Sequence, residues 1–566
     1  MTSLRYVHEN PIVAWTNLLM DPWISPPSST IDALPLFLTT FLSHLLSGSE
    51  SSVPSRGLEL LTVNSHARRW TRNNLGSPRR RTSFAQYPAI SSDFCDVGQV
   101  TIDMLPDVAL LQIFDFYLYE ALVINAWHTL VHMCQKWRNV VLGSPCKLGL
   151  RLVCSARKSW KKTLAIWPAL PLDIVELHCS TQDMDNIFAA LEHNSRVYRV
   201  QLWMITSSQL ENVWAATKVP FPELEYLTLA YYDKGETAPV VPDSFLGGSA
   251  PRLRGLSLIG ISFPFPLLRK LLLSATHLTK LYLWDIPQSA YMSPRVMVTC
   301  LSTLTSLESL HLRFELPRPL PVQESRRPPT LARTLLPALS WLEFRGISEY
   351  LEDLLAQIDA PLLDCLEITF FHQLIFDTPQ LTQFISRTPK LKIPLRLPDA
   401  ARIVFYESAV YVVLLPRELR EYDRGVLMLK ISCRELDWQL SSLAQICSSS
   451  LPLIPSLEQL YIHESEYSPL GSQDDIENGQ WLECFRPFTA VKYLYVCREF
   501  VPQIASALER LVGERAMDVL PSLRNLFLEL RPSGAVEEAI KQFVAARQPS
   551  GHPIVVSHRE RSYDQL

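Results

Sequence analysis

The feature that most constrains the fold is a leucine pattern that returns ten times along the chain. Each copy reads Leu-x-x-Leu-x-Leu, with Val, Ile or Phe in place of some leucines, and the first seven copies begin 24 to 32 residues apart. A period of this length is typical of leucine-rich repeats, whose units stack because no single unit buries its own apolar face. The copies begin at Val197, Leu224, Leu253, Leu278, Leu307, Leu339, Leu363, Leu457, Val491 and Leu523.

The spacing within each copy predicts a short strand that is followed by a returning helix. The last two leucines alternate with other residues, so both point to one face of the strand. Proline just before the first leucine ends the preceding helix in six copies, at Pro222, Pro251, Pro337, Pro361, Pro455 and Pro521. We therefore predict an α/β fold with a curved parallel sheet inside and helices outside.

This irregular solenoid is expected over residues 148–535, followed by a C-terminal helix and a polar, frayed tail over 536–566. The segments 394–424 and 464–480 are predicted to interrupt the repeat. The stretches 401–415 and 427–433 look like strands, but the repeat pattern does not fix their register.

The first hundred residues differ in composition from the rest. Residues 1–100 are rich in Pro and Ser loops and contain a basic run, which we interpret as a poorly ordered region with a basic linker. A nuclear import signal or a nucleic-acid contact is the weaker interpretation, because one interleaved aromatic residue, Trp70, is a poor nucleic-acid signature.

Residues 104–145 show helical periodicity instead of the leucine repeat. Leu110, Ile113 and Phe114 form an apolar stripe that predicts a first helix. Trp127, Val131 and Trp137 belong to a second stripe, which Gly143 and Pro145 end in the manner of helix stop signals.

This stretch resembles an F-box, and its closest likeness is to the expanded F-box families of mushroom-type fungi. The resemblance rests on Leu105-Pro106, the acidic Asp107, the Leu110-Leu111-x-Ile113-Phe114 run, the Val131-x-x-Cys134-x-x-Trp137-Arg138 segment and the ending Gly143-Ser144-Pro145. Val108-Ala109 departs from the pattern, because an acidic residue and a valine are usual there. An F-box over 101–147 implies docking on a Skp-type adaptor of a cullin–RING ubiquitin ligase, through Leu105, Pro106, Leu110, Ile113, Trp127, Val131 and Trp137. The alternative is an ordinary helical hairpin packed on the chain's own core.

The repeats resemble the irregular leucine-rich repeats that accompany F-boxes, which implies that a target protein binds in the concavity of the sheet. Side chains that flank the inward leucines point into this concavity. Equivalent offsets place Arg313 beside Arg345, a pair suited to a carboxylate or a phosphate. Alternatively, Arg345 pairs with Glu343 or Glu367 and Trp284 packs under an insertion. The candidate target-binding residues are Tyr282, Trp284, His311, Arg313, Arg345 and Tyr461.

Composition and missing motifs narrow the remaining choices. The formal net charge is only −4, so we expect no nucleic-acid or membrane partner. The 11 cysteines are scattered and the N-terminus lacks a signal-peptide pattern, so we expect a cytoplasmic or nuclear location. The chain contains no catalytic or metal-binding signature, so we expect neither an enzyme nor a cofactor or metal. The F-box and repeat resemblances together imply a substrate-recognition subunit of a Skp–cullin–F-box ubiquitin ligase with an unknown protein substrate; the alternative is a repeat scaffold without a ligase role.

Overall fold

The computed structural model describes the greater part of the chain, with several gaps. The described residues are 105–120, 126–156, 170–177, 184–232, 238–315, 333–371, 373, 375–391, 398–416, 427–449, 451, 453–465, 478–511, 515, 517–529, 531–551 and 553–558. The predicted N-terminal region with its basic linker lies outside them. The chain divides into two units, Met1–Leu148 and Gly149–Leu566.

The described part of the first unit contains helices α1 (Asp107–Glu120), α2 (Trp127–Met133) and α3 (Gln135–Gly143). The sequence predicted one helix where α2 and α3 lie. Cys134 breaks it, because its backbone is extended at φ −154° and ψ 170°, and its Sγ accepts a hydrogen bond from the Trp137 N–H at 3.4 Å. Sulfur is thus the cap of α3, a role that helical periodicity does not reveal.

The second unit is built on one long sheet with helices between its strands. The strands are β1 (Leu152–Cys154), β2 (Leu172–Glu176), β3 (Val197–Ile205), β4 (Tyr226–Tyr231), β5 (Gly255–Ile259), β6 (Lys280–Ile286), β7 (Ser309–Phe314), β8 (Thr334–Leu335), β9 (Trp341–Gly346), β10 (Ile358–Asp359), β11 (Cys365–Phe371), β12 (Pro398–Tyr406), β13 (Ala409–Pro416), β14 (Leu427–Ser432), β15 (Gln459–Glu464), β16 (Tyr493–Val496), β17 (Asn525–Leu528) and β18 (Val555–His558). The helices are α4 (Asp185–Leu191), α5 (Ser207–Ala216), α6 (Phe265–Ser274), α7 (Pro294–Leu301), α8 (Ser348–Leu355), α9 (Pro379–Arg387), α10 (Leu436–Ser449), α11 (Asn478–Phe485), α12 (Val501–Glu509) and α13 (Ala535–Arg547).

The repeat leucines form the core, as predicted. The two inward positions of each of the ten copies are at most 3% exposed. Parallel pairing aligns these positions from strand to strand, as at Leu256 and Leu281. Rings on the helices contact the same side of the sheet: Tyr350 of α8 stacks with Phe344, and Trp481 of α11 meets Phe405 edge to face. We call the opposite side of the sheet, whose side chains are mostly half-buried, the open face.

Within the described sheet, the strand β13 runs antiparallel to both of its neighbours, in the segment where the sequence predicted an interruption of the repeat. Among the described residues, sixteen strands follow the order β1-β2-β3-β4-β5-β6-β7-β9-β11-β14-β13-β12-β15-β16-β17-β18. β13 is antiparallel to both β12 and β14, whereas β11–β14 and β12–β15 are parallel. The inward rows nevertheless continue, because Leu366 pairs with Leu427, Leu427 with Leu414, and Leu414 with Ala401. Residues 398–416 therefore extend the sheet as strands, and the antiparallel pairing of β13 interrupts the parallel repeat in the segment where the sequence predicted an interruption.

The C-terminal end also adds to the sheet. β18 pairs in parallel with β17, where the sequence predicted a frayed polar tail after the helix. The apolar run Ile554-Val555-Val556 is short and lies in a mostly polar tail, so the sequence pattern did not predict a strand there. Arg547, the last residue of α13, is fully buried and donates hydrogen bonds to the carbonyls of Val519 and Leu520 at 2.6 and 3.0 Å, which fixes the chain entering β17.

Candidate target-binding face

Strand register places the candidate residues in two rows on the open face. The middle row holds the residue between the two inward positions of each strand, and the exit row holds the residue after the second. Tyr282, His311 and Glu343 are direct neighbours in the middle row. In the exit row Arg313 pairs with Arg345, as the offsets predicted. The rows thus bring five of the six candidate residues onto three adjacent strands, with Trp284 on the same strand as Tyr282.

Glu343 links the two rows at this point. Its Oε2 lies 2.5 Å from Nδ1 of His311, and its Oε1 lies 2.5 Å from Nε of Arg313. His311 and Glu343 are only 2% and 7% exposed. The Tyr282 ring stands edge-on to the His311 ring at 4.1 Å between centroids. The His311 and Glu343 side chains therefore lie deeper in the open face than the more accessible arginine side chains.

The two guanidinium groups lie on aromatic rings and keep hydrogen-bonding capacity. Cζ of Arg313 is 4.6 Å from the Trp284 ring centroid, and Cζ of Arg345 is 5.5 Å from that of Phe371. The Nε atoms of both are buried; that of Arg313 faces the Glu343 carboxylate, whereas that of Arg345 has no hydrogen-bond acceptor in the described part of the chain. Buried donors without acceptors are costly, so a ligand acceptor at this place gains binding energy.

Acidic groups around the arginines set the local charge. Asp285 has a left-handed backbone (φ 48°), and its Oδ1 lies 3.7 Å from Nη1 of Arg345. Burial lowers the pKa of Arg345, an effect that Asp285 partly opposes and Arg313 reinforces. Tyr232 also belongs to this site, although sequence analysis did not select it. Burial and Asp285 raise the pKa of Tyr232 to about 12, so this phenol stays a neutral hydrogen-bond donor. Arg345 pairs with Asp285, and Arg313 with Glu343; the expected alternative partners of Arg345 were Glu343 and Glu367.

Strands β12, β13 and β14 carry further side chains of the open face, which sequence analysis could not place. In the exit row Lys430 and Tyr411 are direct neighbours, with the ammonium nitrogen 4.7 Å from the ring centroid. In the middle row Val413 lies between Met428 and Arg402. Only the strand order could reveal these residues, because the leucine pattern is weak in this segment.

Tyr461 lies apart from the other candidate residues, in an aromatic stack. Its ring is stacked on Tyr495 at 4.3 Å, and Tyr495 is stacked on Phe527 at 4.5 Å, with interplanar angles of 6° and 7°. The Tyr461 hydroxyl donates to Gln459 Oε1 at 2.9 Å. The ring faces cover one another, so the stack presents mainly ring edges to a ligand.

The helical unit places the predicted adaptor-contacting residues differently from the expectation. Leu110, Ile113, Trp127, Val131 and Trp137 are at most 4% exposed, so in this conformation they form a core and not a docking surface. Amphipathic spacing identified the apolar stripes, but it does not tell which neighbours cover them.

Two predicted adaptor contacts remain accessible: Leu105 is half-buried and Pro106 is exposed. The Leu105 carbonyl accepts a hydrogen bond from Lys136 Nζ at 2.9 Å. Three large apolar side chains are more exposed, and the sequence did not single them out as contacts: Val108 (67%), Phe116 (42%) and Met133 (50%).

The long, mostly parallel sheet with buried leucine rows defines a leucine-rich-repeat-like fold. No protein-family model matches the chain, and no curated protein matches it. Among solved structures, it is similar to the leucine-rich repeat-containing protein LegL7 from Legionella pneumophila, with 13% identity and a TM-score of 0.24, over 61% of this chain and 90% of that chain. With so low a TM-score, the fold assignment rests on the strand register alone. Within the described ranges, no helix has the length and apolar character needed to cross a membrane.

Proposed function

We propose that the repeat unit is a receptor that binds a target protein on its open face, through Arg313 and Arg345. The observation that carries this proposal is the pair of neighbouring guanidinium groups, held over Trp284 and Phe371, of which Arg345 keeps a buried Nε donor without a hydrogen-bond acceptor in the described structure. Arginines beside aromatic rings are typical of binding hot spots, and the guanidinium fork suits an acidic side chain.

We further propose that the helical unit attaches this receptor to a Skp-type adaptor of a cullin–RING ubiquitin ligase. Support comes from the F-box resemblance of residues 101–147 and from the exposed apolar side chains Val108, Phe116 and Met133. The receptor would then act by position, because holding a target near the ligase raises the effective concentration of its lysines.

The second candidate function is a repeat scaffold that binds partners without a ligase. The burial of five of the seven predicted adaptor contacts favours it, since residues inside a core cannot dock on another protein without rearrangement.

Co-expression of the full chain with a Skp-type adaptor, followed by pull-down, separates the two functions. The ligase receptor predicts stoichiometric capture that is lost in a Leu105→Ala/Pro106→Ala variant and in a Val108→Ser/Phe116→Ser variant. Trp438→Ser is the matched control, because Trp438 is an equally exposed aromatic residue (40%) in the repeat unit. Failure of the wild-type chain to capture the adaptor would leave the scaffold.

The open face is tested separately with proximity labelling in cells that express the full chain. Proteins enriched by the wild-type chain and lost with Arg313→Ala are targets of the proposed site. An unchanged set of labelled proteins in Arg313→Ala and Arg345→Ala would refute the role of the arginine pair.

A further inference from the structure

Another arginine on the open face has a buried Nε donor without a hydrogen-bond acceptor in the described structure, as Arg345 does. Arg402 lies in the middle row on β12, and its Nε is buried without a hydrogen-bond partner. Its neighbours in the row are Val413 on β13 and Tyr461 on β15, neither of which carries a carboxylate. Unlike Arg313 and Arg345, Arg402 has no ion pair with any residue in the described part of the chain.

The surface between the two arginine positions is amphipathic. Met428 and Val413 lie half-buried in the middle row, and Lys430 lies beside them in the exit row with its ammonium near the Tyr411 ring. An extended segment that crosses these strands passes from Arg345 over Thr369 and Glu367 on β11 to the apolar Met428 and Val413, with Lys430 beside them, and then reaches Arg402.

We propose that the open face binds an extended acidic segment at two anchors, one carboxylate at Arg345 and a second at Arg402. An apolar side chain of the segment lies between them, on Met428 and Val413. This inference rests on the proposed receptor function and adds the chemistry and the spacing of its ligand.

Strand order gives the distance between the anchors. From β9, which holds Arg345, to β12, which holds Arg402, the sheet passes through β11, β14 and β13. Four steps of about 4.8 Å make about 19 Å, and an extended chain advances about 3.3 Å per residue. The two carboxylates of the ligand are therefore about six residues apart.

Local charge favours carboxylates over phosphates at the Arg345 anchor. Asp285 lies 3.7 Å from Arg345, and Glu343 lies 2.5 Å from Arg313, so each guanidinium already has an anionic neighbour. A singly charged carboxylate adds less repulsion there than a phosphate, which carries nearly two charges at neutral pH.

The test measures fluorescence anisotropy of labelled synthetic peptides with the full-length chain. The peptides share one Gly/Ser background and one central leucine, and carry two glutamates about two, six or ten residues apart. We expect the middle spacing to bind at least about tenfold more tightly than the others, which corresponds to about 1.4 kcal/mol. A version with phosphoserines in place of both glutamates is expected to bind more weakly.

Arg345→Gln and Arg402→Gln are each expected to weaken binding of the best peptide by about tenfold or more. Arg498→Gln is the matched control, since it removes the same charge from a side chain that is 72% exposed and paired with Glu499. Circular dichroism confirms that each variant is folded.

Several outcomes would refute the two-anchor ligand without refuting the proposed receptor function. Equal affinity at all spacings, tighter binding of the phosphoserine peptide, or no binding of any peptide each refutes the two-anchor carboxylate ligand. Loss with Arg345→Gln but not with Arg402→Gln refutes the second anchor while the receptor function stands. The proximity-labelling experiment tests that receptor function without any of these peptides.

Discussion

The Glu352 carboxylate couples two successive repeats and makes their stability depend on pH. It is 9% exposed and accepts hydrogen bonds from the backbone N–H groups of Gln380 and Leu381, at 2.7 and 2.8 Å, in the first turn of α9. Burial, which outweighs these hydrogen bonds, raises its pKa from 4.5 to about 7. Because the folded-state pKa is higher, the folded chain binds more protons between these values, so the contribution of Glu352 to stability is greatest below about pH 4.5 and is lost as the pH rises through about 7.

The size of this effect follows from the shift. One pKa unit corresponds to about 1.36 kcal/mol, so a rise of about 2.5 units removes about 3 kcal/mol of local stability across the window. Glu352→Gln keeps the side-chain length but cannot titrate. The variant is therefore expected to lose about 2.5 kcal/mol less than the wild type between about pH 5 and pH 8, because part of the window lies below pH 5.

Urea unfolding at the two pH values measures the difference, and hydrogen exchange over residues 376–391 shows whether it is local, as expected in a repeat protein. Glu349→Gln on the same helix is the control, because Glu349 is exposed and accepts hydrogen bonds only from side chains. Parallel stability profiles for wild type and Glu352→Gln, or a wild type that gains stability relative to the variant as the pH rises, would contradict the reasoning.

Three other perturbations test different parts of the fold. Arg547→Met leaves the carbonyls of Val519 and Leu520 without their donor, so we expect the free energy of unfolding to fall by about 3 kcal/mol. Faster hydrogen exchange over 517–529 would show this loss. Lys541→Met, at an exposed position, is the control and should have little effect. Gly260→Ala places a Cβ 2.5 Å from the Tyr231 carbonyl oxygen at a φ of +66°, so we expect it to lower the stability by more than about 1 kcal/mol. Gly479→Ala is the control, because a Cβ there meets nothing within 4 Å. Equal melting temperatures of the two variants in thermal unfolding would contradict the predicted strain. Burial raises the pKa of the Cys447 and Cys497 thiols to about 12, so iodoacetamide at about pH 8 should alkylate the exposed Cys146 well before them. Peptide mass spectrometry measures the three alkylation rates. Equal rates in the folded protein would refute this prediction.

The repeat core and the Arg313–Arg345 neighbourhood could be predicted because a fixed spacing of leucines fixes both register and facing. The spacing of Leu310-x-Leu312 and Leu342-x-Phe344 alone placed the two arginines on one row. The same reasoning failed at β12–β14, where the valine-rich alternation shows a strand but not its direction.

Two further failures have local causes. Apolar periodicity runs through Cys134 without a break, yet the backbone there is extended and its sulfur caps α3. The carboxylates beside the arginines were also mispredicted, because the left-handed backbone of Asp285 directs its side chain to Arg345 across the intervening strand, which holds Arg313. Side-chain partners across strands depend on such backbone details, which spacing alone does not contain.

The reversed order of β12, β13 and β14 has a consequence for synthesis of the chain on the ribosome. Up to β11 most strands pair with the one made just before, so the nascent sheet can grow as the chain emerges. The next partner of β11 is β14, which ends at Ser432 and is made after β12 and β13. At about 5–20 residues per second, the edge of β11 therefore waits several seconds for its partner. Chains that stop between β11 and β14 would leave that edge without it, so this interval is where premature termination or ribosome stalling exposes the protein most to chaperones and to aggregation.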